Sequence, residues 1–194
     1  ESDGTNAIGV APGAKWIAAK AFTETGGSNA ALLSCAEWML KPDGKAENAP
    51  DIVNNSWGGS ANTSDWFKDM VDSWRAANIL PVFAAGNKKT DEAEPWPGSI
   101  QNPASLPGSF AVGATDINNK RGSFSKLGPS LFDPTGESIK PEISAPGVNI
   151  RSSVYGGVYE GGWNGTSMAA PHVAGVAALM KSANKSLTIE EMED

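Results

Sequence analysis

One cysteine and one histidine occur in the 194 residues. The lone Cys35 excludes a disulfide within the chain and any cysteine cage for zinc. Its place in a helical apolar pattern predicts a buried, unreactive thiol. Basic clusters are equally scarce. Lys88-Lys89 and Lys120-Arg121 are the only adjacent basic pairs, and the formal net charge is −7. A phosphate backbone finds no patch to hold it, so nucleic acid is not an expected partner. Long apolar runs are also missing. The long uncharged stretch Gly161 to Met180 opens Gly-Gly-Trp-Asn-Gly-Thr. The helix left after that opening is too short for a hydrocarbon layer of about 30 Å, so no membrane span is expected. No signal-peptide pattern opens the chain, and Glu1-Ser2-Asp3 reads as an interior loop.

What is present argues for a globular fold. Hydrophobic residues make up 40% with seven tryptophans, and 194 residues suit one domain spanning 1–194. Gly 22 and Pro 13 imply short elements joined by tight turns. Lys15 to Phe22 reads as a strand. Leu32, Leu33, Ala36, Met39 and Leu40 then mark one face of a helix, with Ser28 or Asn29 as its cap. Asp51 to Ser56 is a short strand. Phe67, Met70, Val71, Trp74 and Ala77 mark a second helix, with Ser64 as candidate cap. Ile79 to Ala85 is a nearly continuous apolar run, the pattern of a strand covered on both faces. Ser109 to Thr115 and Ile143 to Ala145 are further strands. Val154 to Tyr159 reads as a hairpin around Gly156-Gly157. Strands alternating with helices predict an α/β fold, a mostly parallel sheet flanked by helices.

Three stretches carry chemistry. Gly165-Thr166-Ser167-Met168-Ala169-Ala170-Pro171-His172-Val173-Ala174-Gly175 places a serine at the start of a helix, where free N–H groups favour negative charge. Ala84-Ala85-Gly86-Asn87 ends the apolar strand, where open parallel sheets put their ligands. Its amide can donate to developing charge, or Gly-Asn is a simple turn. Asn55-Ser56-Trp57-Gly58-Gly59 and Gly26-Gly27-Ser28 offer bare backbone edges to an extended peptide, or are ordinary glycine turns. His172 lies five residues after Ser167, about 140° round a helix and about 7.5 Å along it. It cannot come within the roughly 2.6–3.2 Å that a base needs, so a buried, hydrogen-bonded structural role is expected.

These stretches resemble the subtilisin-like serine proteases, over a span from Ala7 to the C-terminus. Ala49 to Gly59, Lys140 to Ser152 and Trp163 to Ser167 resemble the bacillopeptidase F branch. The resemblance implies a three-layer fold with Ser167 as the nucleophile of a serine endopeptidase and Asn87 as a side-chain oxyanion donor. It implies Ser56, Trp57 and Gly58 as one wall of the primary substrate pocket, and Ala85, Gly86 and Asn87 as the other. Gly26, Gly27 and Ser28 become the opposing edge, and Asn164 touches the leaving-group side. The pocket floor is expected between Ser99 and Pro103. The family's catalytic aspartate and histidine precede the serine on motifs of their own. Gly9-Val10-Ala11-Pro12-Gly13 matches the stretch that follows that histidine. The chain is therefore expected to be a C-terminal portion of the catalytic domain, short at both ends and inactive alone. A catalytically silent peptide-binding module is the alternative. Polypeptide substrates and a secreted setting are implied. No cofactor is expected for the chemistry; structural calcium belongs to the family, and neither Asp3 nor Asn6 assigns it a site.

Overall fold

The computed structural model describes residues 6–89, 91–92, 95–133 and 135–194. Strands Ile52–Asn55 (β3), Leu80–Ala84 (β4), Phe110–Thr115 (β5) and Ile143–Pro146 (β6) form one parallel sheet in that order. Ile52 stands opposite Leu80, Val82 opposite Phe110 and Val112 opposite Ile143. Two short antiparallel pairs lie outside it: Phe22–Thr23 (β1) with Gly26–Gly27 (β2), and Ile150–Val154 (β7) with Val158–Trp163 (β8).

The period of two along the strands makes three layers. Val53, Phe83, Ala85 and Ala111 face one side, packing on helices Asn29–Leu40 (α1) and Lys68–Ala76 (α2). Phe67, Trp57, Phe83 and Trp74 meet there with ring centroids 5.3–6.5 Å apart. Trp74 also donates its indole N–H to Ala36 O at 3.1 Å, which ties α2 to α1. Leu80, Val82, Ala84, Phe110, Val112 and Ala114 face the other side, against Ala169, Ala170, Val173 and Ala177 of helix Thr166–Ala183 (α3). Each large side chain buried this way contributes about 1.5–3 kcal/mol. The run of small residues on α3 lets that helix lie close to the sheet.

A last helix, Ile189–Glu193 (α4), starts with a capping box between Thr188 and Glu191. Arg75 of α2 fastens it, reaching Glu193 at 2.5 Å and Gly108 O at 3.2 Å. The Glu193 carboxylate beside it pushes the guanidinium further above its already high range.

Four expectations need correction. Lys15 to Ala21 is not a strand: only Phe22–Thr23 pairs, and Trp16 is 83% exposed. A strand is held by ladder bonds, and among the described residues Lys15 to Ala21 pairs with no other strand. Ser64 does not cap α2. Phe67 stands at that position without a side-chain bond, and Ser64 O instead accepts the Asn102 amide. Cys35 and His172 are half-buried, because each lines a cleft. Ser28 does cap α1, accepting Ala31 N–H at 3.2 Å.

Candidate active site

The ends of β3 and β4 and the start of α3 meet at the C-terminal edge of the sheet. Helix α3 opens with a glycine, which brings no side chain to cap it. Asn87, one turn past β4, does so from across the sheet: its Oδ1 accepts the Thr166 N–H at 2.9 Å and the Thr166 hydroxyl at 3.0 Å. The Thr166 oxygen in turn accepts the Gly86 N–H at 3.1 Å. A backbone N–H can only donate, so the side of the Asn87 amide facing Thr166 must be its oxygen. Nδ2 is thereby left on the open side. A Cβ placed on Gly165 would lie 3.6 Å from both that Nδ2 and Ser167 N. Two donors thus border the Cβ position of Gly165 beside the serine, and Met168 Sδ lies nearer still, at 3.2 Å.

Pro171 sets the next contact. It has no N–H for Ser167 O, its partner four residues back. Ser56, just beyond β3, supplies the missing donor: its hydroxyl gives a bond of 2.9 Å to Ser167 O. The Ser167 hydroxyl returns a 3.1 Å bond to Ser56 O. A peptide carbonyl is no base at neutral pH, so this bond holds the hydroxyl in place without activating it. His172 turns its Nδ1 to Met168 O at 2.7 Å, away from Ser167. Asp51 precedes β3 and so sits at the far end of the sheet, 3.5 Å from Lys181. A cleft of about 460 Å³ opens beside Ser167, lined among others by Val10, Trp163, Met168 and His172.

The remaining sequence candidates divide. The ends of β3 and β4 are joined through one segment: Gln101 N–H donates to Ala85 O at 3.0 Å and Gly59 N–H to Asn102 O at 2.8 Å. The Trp57 ring turns into the core, its indole N–H bonded to Asn55 Oδ1. Gly58 stays exposed, and its N–H and C=O are unpaired among the described residues. Gly26 and Gly27 pair with β1, while Phe22 places that hairpin next to Trp57, rings 6.4 Å apart. Asn164 spends its side chain on the β7–β8 pair, accepting Asn149 N–H and donating to Gly162 O.

Two participants escaped the sequence reading. Thr166 is fully buried and fixes Asn87, and its signal was its place immediately before the serine. Lys126, whose side chain is 3% exposed, bonds Glu92 at 2.5 Å and lies 4.7 Å from the Trp96 ring, holding the loop that follows Asn87. The Lys126 ammonium keeps the Glu92 carboxyl below its usual range. No sequence spacing announces that pair.

Asp3 lies outside the described residues. Asn6 Oδ1 accepts the Arg151 guanidinium at 2.7 Å, and an oxygen facing a cation does not suit a calcium ligand. Among the described residues no group of three or more His, Cys, Asp or Glu could hold a metal, and no helix is long and apolar enough to cross a membrane.

The sequence pattern of the subtilase family, Peptidase S8, matches residues 1–194. The chain is 61% identical to bacillopeptidase F of Bacillus subtilis over its whole length, covering 14% of that protein. It is 36% identical to subtilisin NAT of Bacillus subtilis subsp. natto, covering 96% of this chain and 44% of that one. A solved structure described as a cold adapted subtilisin-like serine proteinase superposes with a TM-score of 0.71 at 29% identity, covering 90% of this chain and 56% of that one. The chain therefore spans between 14% and 56% of the length of these three proteins.

Proposed function

The chain belongs to the subtilase family, and from that premise we propose that it carries the nucleophile and oxyanion donors of a serine endopeptidase. The base that activates the serine comes from outside residues 1–194, which form part of the peptidase catalytic domain. The observation that carries this reading is the fixed Asn87 amide, its oxygen held by Thr166 and its Nδ2 left toward Ser167 N.

In this reading an extended polypeptide lies along Gly58, adding a strand to its unpaired backbone. Ser167 Oγ attacks the scissile carbonyl carbon while the external base takes the hydroxyl proton. The carbonyl oxygen becomes an oxyanion held by Asn87 Nδ2 and Ser167 N–H. Collapse breaks the C–N bond, and the proton passes to the leaving amine. Water then hydrolyses the acyl-serine by the reverse sequence of proton transfers. Ser56 O is the resting partner of the hydroxyl, released when the base engages. Gly26, Gly27 and Ser28 form the second edge, and Asn164 orders the leaving-group side through the β7–β8 hairpin. The setting is extracellular, as for secreted proteases of this type.

A second reading is a silent peptide-binding module. It is favoured by the Ser167 hydroxyl resting on a carbonyl, with no base at hand among the described residues. Hydrolysis of an unstructured polypeptide by the full-length protein separates the two. Cleavage that Ser167→Ala removes, with peptide binding retained within about threefold, is the endopeptidase result. Binding without cleavage in the unaltered protein is the module result.

A further inference from the structure

Asn87 is held from two sides. Thr166 fixes its side-chain oxygen, and the strip Phe124 to Lys126 fixes its backbone. Asn87 stands opposite Ser125 in an isolated antiparallel bridge. Lys126 N–H donates to Gly86 O at 3.1 Å and Lys88 N–H to Phe124 O at 2.8 Å, one bond on each side of that bridge. The strip is tied to the sheet in turn, since Ser125 Oγ accepts the Ala114 N–H of β5 at 3.1 Å. A catalytic donor has to be held within about 0.5 Å of its working place, and two backbone bonds are a short ladder for that.

The side chain of Lys126 extends that ladder. The residue whose N–H holds Gly86 sends its ammonium to Glu92 Oε2 at 2.5 Å and places it 4.7 Å from the centre of the Trp96 ring. The same Glu92 oxygen accepts the Lys89 N–H at 3.1 Å, and Glu92 N–H returns to Lys89 O at 3.1 Å. The turn directly after Lys88 is therefore closed by the carboxylate that Lys126 grips. Beyond Trp96, Gly98 N–H is bonded to Gly128 O at 2.9 Å and Ile100 N–H to Leu127 O at 3.1 Å. An exposed ion pair would hold such a turn weakly. This ammonium is buried, with a side chain 3% exposed, and loss of Glu92 would leave it covered and without its anion.

We propose that Lys126 is a positioning residue for the oxyanion donor: by clamping Glu92 and Trp96 it fixes the backbone from Gly86 to Lys88, and with it the place of Asn87 Nδ2. The inference rests on the endopeptidase reading above. Among the described residues the ammonium meets Glu92 and Trp96 and none of the reacting groups, so its effect passes through Asn87. An oxyanion donor is bonded most tightly in the transition state. A loosened Asn87 therefore costs kcat and spares KM. Misplacement by about 1 Å costs about 100-fold, and release of one of the two supports of Asn87 sets the expected loss at about tenfold. A pair that only stabilised the fold would lower the melting temperature and leave kcat per folded molecule unchanged.

The test is a double-mutant cycle in the full-length protein, with kcat and KM measured on one peptide substrate. Active sites are counted by labelling to completion with a serine-directed fluorophosphonate, so that unfolded molecules do not enter kcat. Lys126→Met should lower kcat about tenfold with KM within about threefold of the original. In an Asn87→Ala background the same change should lower kcat by less than about twofold, because the group it positions is gone. Glu92→Gln, which alters one atom of the less buried partner, should follow the same pattern with a loss of about threefold or more. It decides the question if Lys126→Met yields no countable sites. Equal falls in the two backgrounds, an unchanged kcat, or a loss carried by KM overturns the positioning role and leaves the endopeptidase reading standing. Failure of the unaltered protein to cleave the peptide overturns that reading, and this inference with it.

Discussion

In the proposed reading Asn87 does two jobs that a single amide can perform together. Its oxygen caps α3 by accepting from Thr166, and that bond decides which way its nitrogen points. Thr166 is therefore a positioning residue. Thr166→Val keeps the shape but removes the hydroxyl, freeing the Gly86 N–H and one of the two bonds on Asn87 Oδ1. A bond of this kind is worth about 1–1.5 kcal/mol. We expect kcat to fall about tenfold with KM little changed, and Thr166→Ser to restore most of it. Asn87→Ala should fall much further in kcat, by roughly 100-fold or more, a magnitude established for the corresponding donor in subtilisin itself rather than obtained from this geometry. Steady-state kinetics of the full-length variants decide both. A loss mainly in KM would mean that Asn87 binds substrate rather than the oxyanion.

At the scale of elements, the loop from Pro129 to Lys140 shows how a surface turn stores acid sensitivity. Asp133 accepts from Thr135 N–H at 2.9 Å, from the Thr135 hydroxyl at 2.6 Å and from Ser138 N–H at 2.6 Å. The Thr135 hydroxyl, then the Ser138 N–H, hold its carboxyl far below the ordinary 3.8. A carboxyl lowered in the folded state adds stability that is complete above its unfolded value and is lost as pH falls through the folded one. Thermal melts of a Ser167→Ala background should therefore decline as pH drops from about 4 toward 2. Asp133→Asn should be less stable at pH 6 and decline less steeply over that window. Parallel curves for the two would show that the turn does not carry the effect.

Elements were legible in the sequence where their own residues decide them. The apolar run Ile79 to Ala85, the α1 face with Ser28 as cap, and the Gly156-Gly157 hairpin all follow from local pattern. Lys15 to Phe22 has an equally good strand pattern and forms little strand, since a ladder needs a neighbour that local pattern does not supply. The site divides the same way. Ser167 and Asn87 stand out in sequence through the helix start and the strand end. Thr166 and Lys126 take their meaning from contacts across the chain: Thr166 from one to Asn87, 79 positions away, and Lys126 from one to Glu92, 34 positions away.

Across the whole molecule, the sheet brings Ser167, the nucleophile of the proposed reading, and the Asn87 amide to one edge and leaves the serine hydroxyl resting on a carbonyl. The single imidazole lies half-buried on α3 with Nδ1 on Met168 O. In the proposed reading activation comes from another segment, and the chain spans 44% of a relative such as subtilisin NAT. That division of labour is the central claim. Its most direct measure is the rate at which a serine-directed fluorophosphonate labels residues 1–194 alone and a form extended by the preceding segment, with the adduct mapped by mass spectrometry. The extended form should be labelled on Ser167, and the isolated 194 residues at least about 100-fold more slowly. Equal rates for the two, or an adduct on any residue other than Ser167, would contradict it.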